Sequence, residues 1–285
     1  MVLASVTNAN YLHNSSDELC WLIPKGDTMH QRGIEVTPSL HRMKVGSRYK
    51  VNDYTLSINP GDNLDLSLYS IWKPPVVSAN CLVPQSKLTA SIQVFADHLI
   101  TQYQPLGFGN LIPSILQVTA RQNIELEESI NLGFTGSAWT VVMGMIQACM
   151  ANDQGGILEY AGNLIGYGEG LTPSGDDFLG GFFFARWLLS HNYPGSFMDN
   201  PTCTYSEFII RYKPRTNLIS YTILKDNSEG HSVEPLHLLA NGLLRGERVE
   251  SLIPRAERLI SLGHSTGWDM LTGFLAGISV NSAIS

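Results

Sequence analysis

Residues 162–189 read GNLIGYGEGLTPSGDDFLGGFFFARWLL, and the first half of this stretch is a glycine-rich loop. Its glycines alternate at Gly166, Gly168 and Gly170. Glycine adopts positive φ without steric cost and lets a ligand come close to backbone amides. The spacing therefore predicts a loop whose N–H groups are open to a ligand.

The second half of the stretch carries signals for the start of a helix. Thr172 and Pro173 match an N-cap followed by Pro at the first helical position. Ser174, with Asp177 three residues later, offers a second start of the capping-box type. The apolar run that follows predicts a helix over residues 178–189.

A glycine loop that leads into a helix N-terminus is typical of anion-binding sites, because free N–H groups and the helix dipole both face the ligand. The known phosphate motifs are missing: a GxGxxG pattern would need Gly where Leu171 stands, and no Gly-Lys-Ser/Thr ending follows. Asp176 and Asp177 would repel a phosphate unless a cation lay between them and the ligand. The alternative is a tight turn with two acids favourably placed in the first turn of a helix.

A second stretch repeats this pattern, since residues 263–277 read GHSTGWDMLTGFLAG. Residues 266–273 align with residues 174–181 as hydroxyl, Gly, any residue, Asp, apolar, Leu, any residue, Gly. Two helix starts of one pattern predict two walls of a single pocket. Gly181 and Gly273 would let the two helices approach each other closely.

The string at residues 166–181, GYGEGLTPSGDDFLGG, resembles the signature of the AllH family, and residues 263–269 resemble that family's second motif. The resemblance covers roughly residues 160–280. The family includes the AllH subunit of oxamate carbamoyltransferase, an enzyme of purine and allantoin catabolism. The resemblance implies a transferase subunit that works with two other kinds of subunit. The implied reaction converts oxalurate and phosphate into oxamate and carbamoyl phosphate.

Composition narrows the class of protein. The 285 residues are 44% hydrophobic and only 15% charged, and the net charge is −7. These values exclude a disordered chain, and the lack of a basic run argues against a nucleic-acid partner. We find no apolar segment of membrane-spanning length and no signal peptide, and the four cysteines form no CxxC pair. We therefore expect a cytoplasmic protein without a membrane partner.

Periodicity predicts an α+β fold: a small β-rich domain at residues 1–85, built as a barrel or sandwich, and a mostly helical domain at residues 86–285. Short apolar or alternating runs separated by turns indicate strands in the first part, such as residues 19–23 and a hairpin at 49–58. From residue 86 onward the apolar spacing becomes three to four, which indicates helices. An alternating run at residues 208–215 predicts a strand, followed by a third helix start with a Thr cap at Thr216.

The candidate site combines these three helix starts. The candidate catalytic groups are Asp176, Asp177, Asp269 and His264. The candidate substrate-binding residues would bind an anion through backbone amides, hydroxyls, one side-chain amide and one guanidinium. They are Gly166, Gly168, Gly170, Thr172, Ser174, Gly175, Arg215, Thr216, Asn217, Ser220, Ser265, Thr266 and Gly267.

This set suits a small, oxygen-rich, anionic substrate, bound by a protein that positions it and stabilises charge. No dedicated metal site is predicted. Two further classes stay open. One is a nucleotide- or phosphate-binding enzyme in which the aspartates hold Mg²⁺ through water. The other is a non-catalytic subunit that binds a ligand or stabilises an assembly. The alternation of Arg211, Lys213 and Arg215 equally fits a solvated face.

Overall fold

A computed structural model describes residues 1–36, 43–52, 54–58, 62–65, 72–120, 134–195 and 201–280. The contacts divide the chain into two compact units, Met1–Pro74 and Pro75–Ser285. The first unit holds strands and the second holds helices. The predicted α+β class, with a β-rich N-terminal part and a mostly helical remainder, is confirmed.

The first unit contains two sheets. The four-stranded sheet has the order β1-β2-β3-β4 and is antiparallel except between the last two strands; its strands are β1 (Val2–Ser5), β2 (Asn10–His13), β3 (Leu19–Pro24) and β4 (Gly33–Val36). The three-stranded antiparallel sheet consists of β5 (Tyr49–Asn52), β6 (Thr55–Ile58) and β7 (Asp62–Asp65). The strand predicted at residues 19–23 and the hairpin predicted at residues 49–58 are both present.

A small core joins the two sheets. Leu12 and Leu22 of the first sheet are buried in one cluster with Leu56 of the second. Among the described residues the four-stranded sheet is open and does not close into a barrel.

The second unit is built from ten helices in its described residues. They are α1 (Gln85–Gln102), α2 (Ile112–Thr119), α3 (Phe134–Met150), α4 (Gln154–Leu164), α5 (Ser174–Asn192), α6 (Pro201–Tyr212), α7 (Leu218–Ser228), α8 (Glu234–Leu244), α9 (Val249–Ile260) and α10 (Thr266–Ser279). Short 3-10 turns precede α2, as Gly107–Leu111, and α7, as Lys213–Arg215. The mostly helical part predicted from residue 86 onward is confirmed, with the end of α6 as the exception. No helix in the described parts of the chain is both long and apolar enough to cross a membrane.

The segment before α1 packs with the helices. The Val83 N–H donates to the Leu244 carbonyl at 2.9 Å, and the Tyr193 hydroxyl donates to the Val83 carbonyl at 2.7 Å. The Asn241 amide donates to the Pro75 carbonyl at 2.8 Å. The division into domains after residue 85 stays a prediction.

Helix α5 is the central element of the second unit, because it is apolar and buried on all sides. Its Phe184 and Leu188 belong to one hydrophobic cluster, with α1, α8, α9 and α10. Its Phe178 and Phe183 belong to a second cluster, with α3, α4 and α6. The helix starts at Ser174, four residues earlier than the apolar run predicts.

Helices α5 and α10 touch at their backbones. A Cβ on Gly273 would overlap the carbonyl oxygen of Phe178, and a Cβ on Gly181 would overlap that of Met270. A Cβ on Gly277 would lie 2.8 Å from the oxygen of Phe182. The close approach predicted for Gly181 and Gly273 is confirmed. Gly273 contacts Phe178, and Gly277, four residues later, contacts Phe182, which is also four residues later. The two helices therefore run parallel and begin at the same end.

The predicted strand at residues 208–215 is wrong, because this segment forms the end of α6 and a 3-10 turn. Tyr205, Phe208 and Ile209 have the i, i+3, i+4 spacing of a helix face and are buried beside Phe183. The alternating cations obscured this spacing. Arg211 and the two cations of the turn are exposed.

Candidate functional site

The starts of α5 and α10 have the same local structure. Each has a hydroxyl residue at its first position, a glycine at its second and an aspartate at its fourth. A Cβ on Gly175 would overlap the Leu164 carbonyl, and one on Gly267 would overlap the Leu259 carbonyl. Each helix therefore needs glycine in order to begin directly against the last turn of the helix before it.

The two helix starts contact each other through their hydroxyls. Thr172 Oγ1 lies 3.2 Å from Thr266 Oγ1, and both threonines are partly exposed. Neither helix has a side-chain cap on its N-terminal N–H groups. Two parallel dipoles thus present their positive ends at one place, where negative charge is stabilised.

Asp177 and Asp269 each accept a hydrogen bond from a hydroxyl of the other helix start. The Thr266 hydroxyl of α10 hydrogen-bonds Asp177 of α5, and the Ser174 hydroxyl of α5 hydrogen-bonds Asp269 of α10. The Thr172 hydroxyl also binds Asp177. The two acids, predicted from the shared pattern to face each other, are close enough for the negative charge of Asp269 to act on Asp177.

Asp269 has a hydrogen-bond partner on each carboxylate oxygen. The Phe108 N–H donates to Oδ1 at 2.6 Å, and the Ser265 hydroxyl donates to Oδ2 at 2.8 Å. Gly107 makes this possible: its φ is +51°, and a Cβ there would overlap Asp269 Oδ1. Asp269 itself is completely buried.

Asp177 is only 3% exposed, and its Oδ2 has no hydrogen-bond partner among the described residues. Burial raises the pKa of Asp177 well above its ordinary value, and the negative charge of Asp269 raises it further. The Thr172 and Thr266 hydroxyls oppose this shift only in part. Asp177 is therefore the acid of this pair that keeps its proton most readily.

Asp176 lies on a different side of α5 and joins it to α7. Its Oδ1 accepts from the Gly166 N–H at 2.7 Å, and its Oδ2 accepts from the hydroxyls of Thr216 and, at 2.6 Å, Ser220. Burial raises the pKa of Asp176, and the hydrogen bond from Ser220 is the largest opposing effect. Burial likewise raises the pKa of Asp269, opposed mainly by the Phe108 N–H. Asp176 thus ties the glycine loop to the start of α7.

The glycine loop has the predicted positive φ angles, +74° at Gly166, +110° at Gly168 and +103° at Gly170. The structural reason for glycine differs between the two ends of the loop. A Cβ on Gly166 would overlap the Arg215 carbonyl, so this glycine allows contact within the protein. A Cβ on Gly170 would meet no atom within 4 Å, so this end of the loop is open.

Three predicted polar side chains lie near the edge of these clusters. Arg215 is exposed and donates to the Gly162 carbonyl at 2.6 Å. Asn217 replaces Thr216 as the cap of α7, accepting from the N–H groups of its first turn, and it also donates to the loop. His264 is exposed, and its charge lowers the pKa of Asp269 slightly against the effect of burial.

The structure adds Gly107 and Phe108 to the site. The pattern Gly107-Phe108-Gly109-Asn110 by itself indicates only a loop. The closely spaced Gly107 and Gly109 were the signal in the sequence for a close contact at this loop. In the structure, a Cβ on Gly109 would lie 2.8 Å from the ring of Trp268, next to Asp269. Only the fold shows that this loop supplies a backbone donor to a carboxylate 161 residues away.

The aspartates do not form a site for a directly coordinated metal ion. The described parts of the chain contain no group of three His, Cys, Asp or Glu residues placed to hold one. Both oxygens of Asp176 and both oxygens of Asp269 already accept hydrogen bonds from the protein.

A wide groove of about 1020 Å³ lies between α1 and the start of α9, formed by residues other than those of the helix starts. Asp97 and Glu250 line it together with His98 and Arg248. This mixture of charges favours no single class of ligand, so the buried carboxyls mark the better candidate site.

The comparison with protein families agrees with the geometry. The model of a family described as oxamate carbamoyltransferase subunit AllH matches residues 164–278, which hold the glycine loop, α5, α7 and α10. No solved structure matches the chain. The family match includes both helix starts and the buried Asp176, Asp177 and Asp269. The match supports the resemblance to the AllH family over residues 164–278.

Proposed function

We propose that the chain is a carbamoyltransferase subunit that binds a small anionic substrate where α5 and α10 begin. The reaction would be the conversion of oxalurate and phosphate into oxamate and carbamoyl phosphate, in complex with other subunits. The observation that carries the proposal is the convergence of two uncapped helix N-termini on a buried acid pair, inside the segment that matches the family.

The chemistry fits such a site. Transfer of a phosphate-activated carbamoyl group depends mainly on positioning and on charge stabilisation, and it needs no covalent protein intermediate. The N–H groups of Gly175 and Gly267 donate to the carbonyls of Tyr167 and Leu262. The positive ends of the two helix dipoles, together with the open loop at Gly170, would therefore hold the anionic end of the substrate. Ser265 and Thr266 hydroxyls and the guanidinium of Arg215 would add donors around it.

The buried acids would serve as proton carriers or as electrostatic elements beside the reacting group. Asp177, whose pKa burial raises most strongly, is the best candidate for moving a proton. Asp176 and Asp269 would hold the loops of the site in place, since protein donors occupy their oxygens. His264 would be an exposed candidate catalytic group at the edge of the site. A non-catalytic ligand-binding role would use the same geometry, and turnover by the assembled complex distinguishes the two.

The Gly170→Val variant tests the proposed anion site. A β-branched side chain at φ +103° costs about 1–3 kcal/mol and fills the open end of the loop. We expect calorimetry with carbamoyl phosphate to show at least a tenfold loss of affinity, while thermal unfolding stays cooperative.

Gly195→Val is the matched control, because Gly195 also has a positive φ, +81°, and a Cβ added there would meet no atom within 4 Å. It carries the same strain without touching the site. Normal binding by Gly170→Val, or an equal loss in both variants, would contradict the proposed role of the loop.

A further inference from the structure

The two acids of the helix pair differ in how the protein stabilises their charge. Asp269 accepts a backbone N–H from Phe108 on one oxygen and the Ser265 hydroxyl on the other. Asp177 contacts hydroxyls alone, and its buried Oδ2 has no partner among the described residues. A buried carboxylate with so few donors is costly in its charged form. Asp177 is therefore the acid of the pair whose negative charge the protein supports less.

The hydroxyls of Thr172 and Thr266 are too few to satisfy all the contacts around Asp177. The two hydroxyl oxygens lie 3.2 Å apart, and each hydroxyl also contacts Asp177. Each hydroxyl has one proton to donate, so two protons serve three contacts while Asp177 is ionised. A protonated carboxyl supplies the third proton. All three contacts can thus be hydrogen bonds only when Asp177 is protonated.

The charges that act on Asp177 are negative. They are those of Asp269 on α10 and Asp176 on α5. The nearby cations act on the other two acids instead, Arg215 on Asp176 and His264 on Asp269. A negative charge on Asp177 is therefore not offset by a cation within the described residues.

A bound anion would make the ionised form of Asp177 still less favourable. Thr266 is partly exposed, and a Thr266 hydroxyl that donates to an anion no longer donates to Asp177. The anion also adds a negative charge a short distance from the carboxyl. The surrounding segments add no cation, since the glycine loop contributes Tyr167 and Glu169 and the turn Gly107–Leu111 has no titratable side chain. Anion binding therefore favours a protonated Asp177.

We propose that the site at the starts of α5 and α10 binds its anion together with one proton from solvent, which Asp177 takes up. This proposal rests on the proposed function and adds to it the regulation of the site by pH. Below the pKa of Asp177 in the empty site, the carboxyl already carries its proton and pH has no effect on affinity. Above that pKa, affinity falls by up to about tenfold for each unit that pH rises.

Sulfate is a suitable probe for the full chain. Its charge stays the same from about pH 5 to about pH 9, so a change in affinity over this range reports on the protein. Calorimetry in buffers of different ionisation enthalpy counts the protons that the complex takes up. We expect uptake to rise towards one proton per sulfate in the range of pH where affinity falls.

Asp177→Asn removes the group that takes up the proton. Asn is neutral at every pH, and its –NH2 group replaces the donor that the protonated carboxyl supplies. The variant should bind sulfate without proton uptake and with the same affinity across the range of pH. At the alkaline end it should bind more tightly than wild type, by the factor that the wild type has lost there.

A purely structural role of Asp177 would instead weaken binding by the variant at every pH. The proton count on the wild-type chain tests the proposal even if Asp177→Asn does not fold.

His264→Gln tests the other group that could take up the proton. His264 is exposed at the edge of the site, and histidine is the side chain that ordinarily changes its charge in this range of pH. The variant should keep both the proton uptake and the fall in affinity as pH rises.

The outcomes separate this proposal from the proposed function. Sulfate binding without proton uptake, uptake that persists in Asp177→Asn, or loss of uptake in His264→Gln would overturn the proton coupling and leave the anion site standing. Binding of carbamoyl phosphate without binding of sulfate would also overturn the coupling alone, because the site would then not respond to a small anion's charge as such. If the full chain binds neither anion, both the coupling and the proposed anion site are overturned.

Discussion

Asp177 is a buried titratable group of the site. Burial and the charge of Asp269 raise its pKa well above the ordinary 3.8, so the folded protein keeps a proton that the unfolded chain releases. The stabilising contribution of such a group is complete below the unfolded pKa. It is lost as pH rises through the folded pKa.

We therefore expect the Asp177→Asn variant to gain stability relative to wild type as pH rises from about 4 to about 8. Asn is neutral at every pH, as the protonated acid is. The variant therefore does not lose the unfolding free energy that the wild type loses when the buried Asp177 ionises. Each kcal/mol gained would raise Tm by about 2–4 °C in a protein of this size. Thermal unfolding across the pH range measures the difference.

Thr272→Val is the control for this experiment, because it changes a buried group on α10 that does not titrate. It should shift the stability curve without changing its slope. Parallel pH profiles for wild type and Asp177→Asn would show that Asp177 does not hold its proton on folding.

At the scale of elements, the site depends on the backbone contact between α5 and α10. A Cβ on Gly273 would overlap the Phe178 carbonyl oxygen, and backbone atoms cannot move aside as a flexible side chain can. Gly273→Ala should therefore separate the helices and cost at least about 1–3 kcal/mol of unfolding free energy. Denaturant unfolding measures the loss.

Gly155→Ala provides the comparison for Gly273→Ala. Gly155 lies inside α4, and a Cβ there would meet only Asp153 Oδ1, at an ordinary 3.5 Å. Alanine in a helix is favoured over glycine by about 0.5–1 kcal/mol, so this variant should be neutral or stabilised. An equal effect of both substitutions would mean that the close contact does not determine the geometry of the site.

At the scale of the whole molecule, the site offers binding groups and carboxyls but, in the described residues, no activated nucleophile. Transfer from a phosphate-activated carbamoyl group requires both reactants to be desolvated and held in line. One pair of helix starts can hold one of them. We therefore expect a neighbouring subunit to supply the rest of the site, as the AllH resemblance implies.

The purified chain alone should accordingly be a poor enzyme for oxalurate phosphorolysis and for carbamoyl transfer to oxamate. Activity should appear when the other kinds of subunit are added. Turnover by the lone chain at about 1 per second or faster would be an ordinary enzymatic rate and would contradict the need for partners. The assay is product formation with and without those subunits, with Gly170→Val as the site control.

The sequence by itself determined the elements and the local form of the site. Apolar spacing indicated a mostly helical part from residue 86 onward, because a helix face repeats every three to four residues, although the end of α6 was predicted as a strand. The repeated pattern at residues 174–181 and 266–273 predicted two matching helix starts, and Gly181 and Gly273 predicted their close approach. These rules use only residue types and their spacing, within one segment or between two similar segments. They can therefore be applied to the sequence without knowledge of the fold.

Only the tertiary structure decided which groups meet. The exchange of partners between Asp177 and Asp269, the Phe108 N–H on Asp269 and the use of Asp176 to join the loop to α7 are all contacts between distant segments. No spacing rule relates residue 108 to residue 269. Burial also arises only in the fold. It makes Asp177 a group that keeps its proton, and the sequence shows the same residue only as one acid in a first turn.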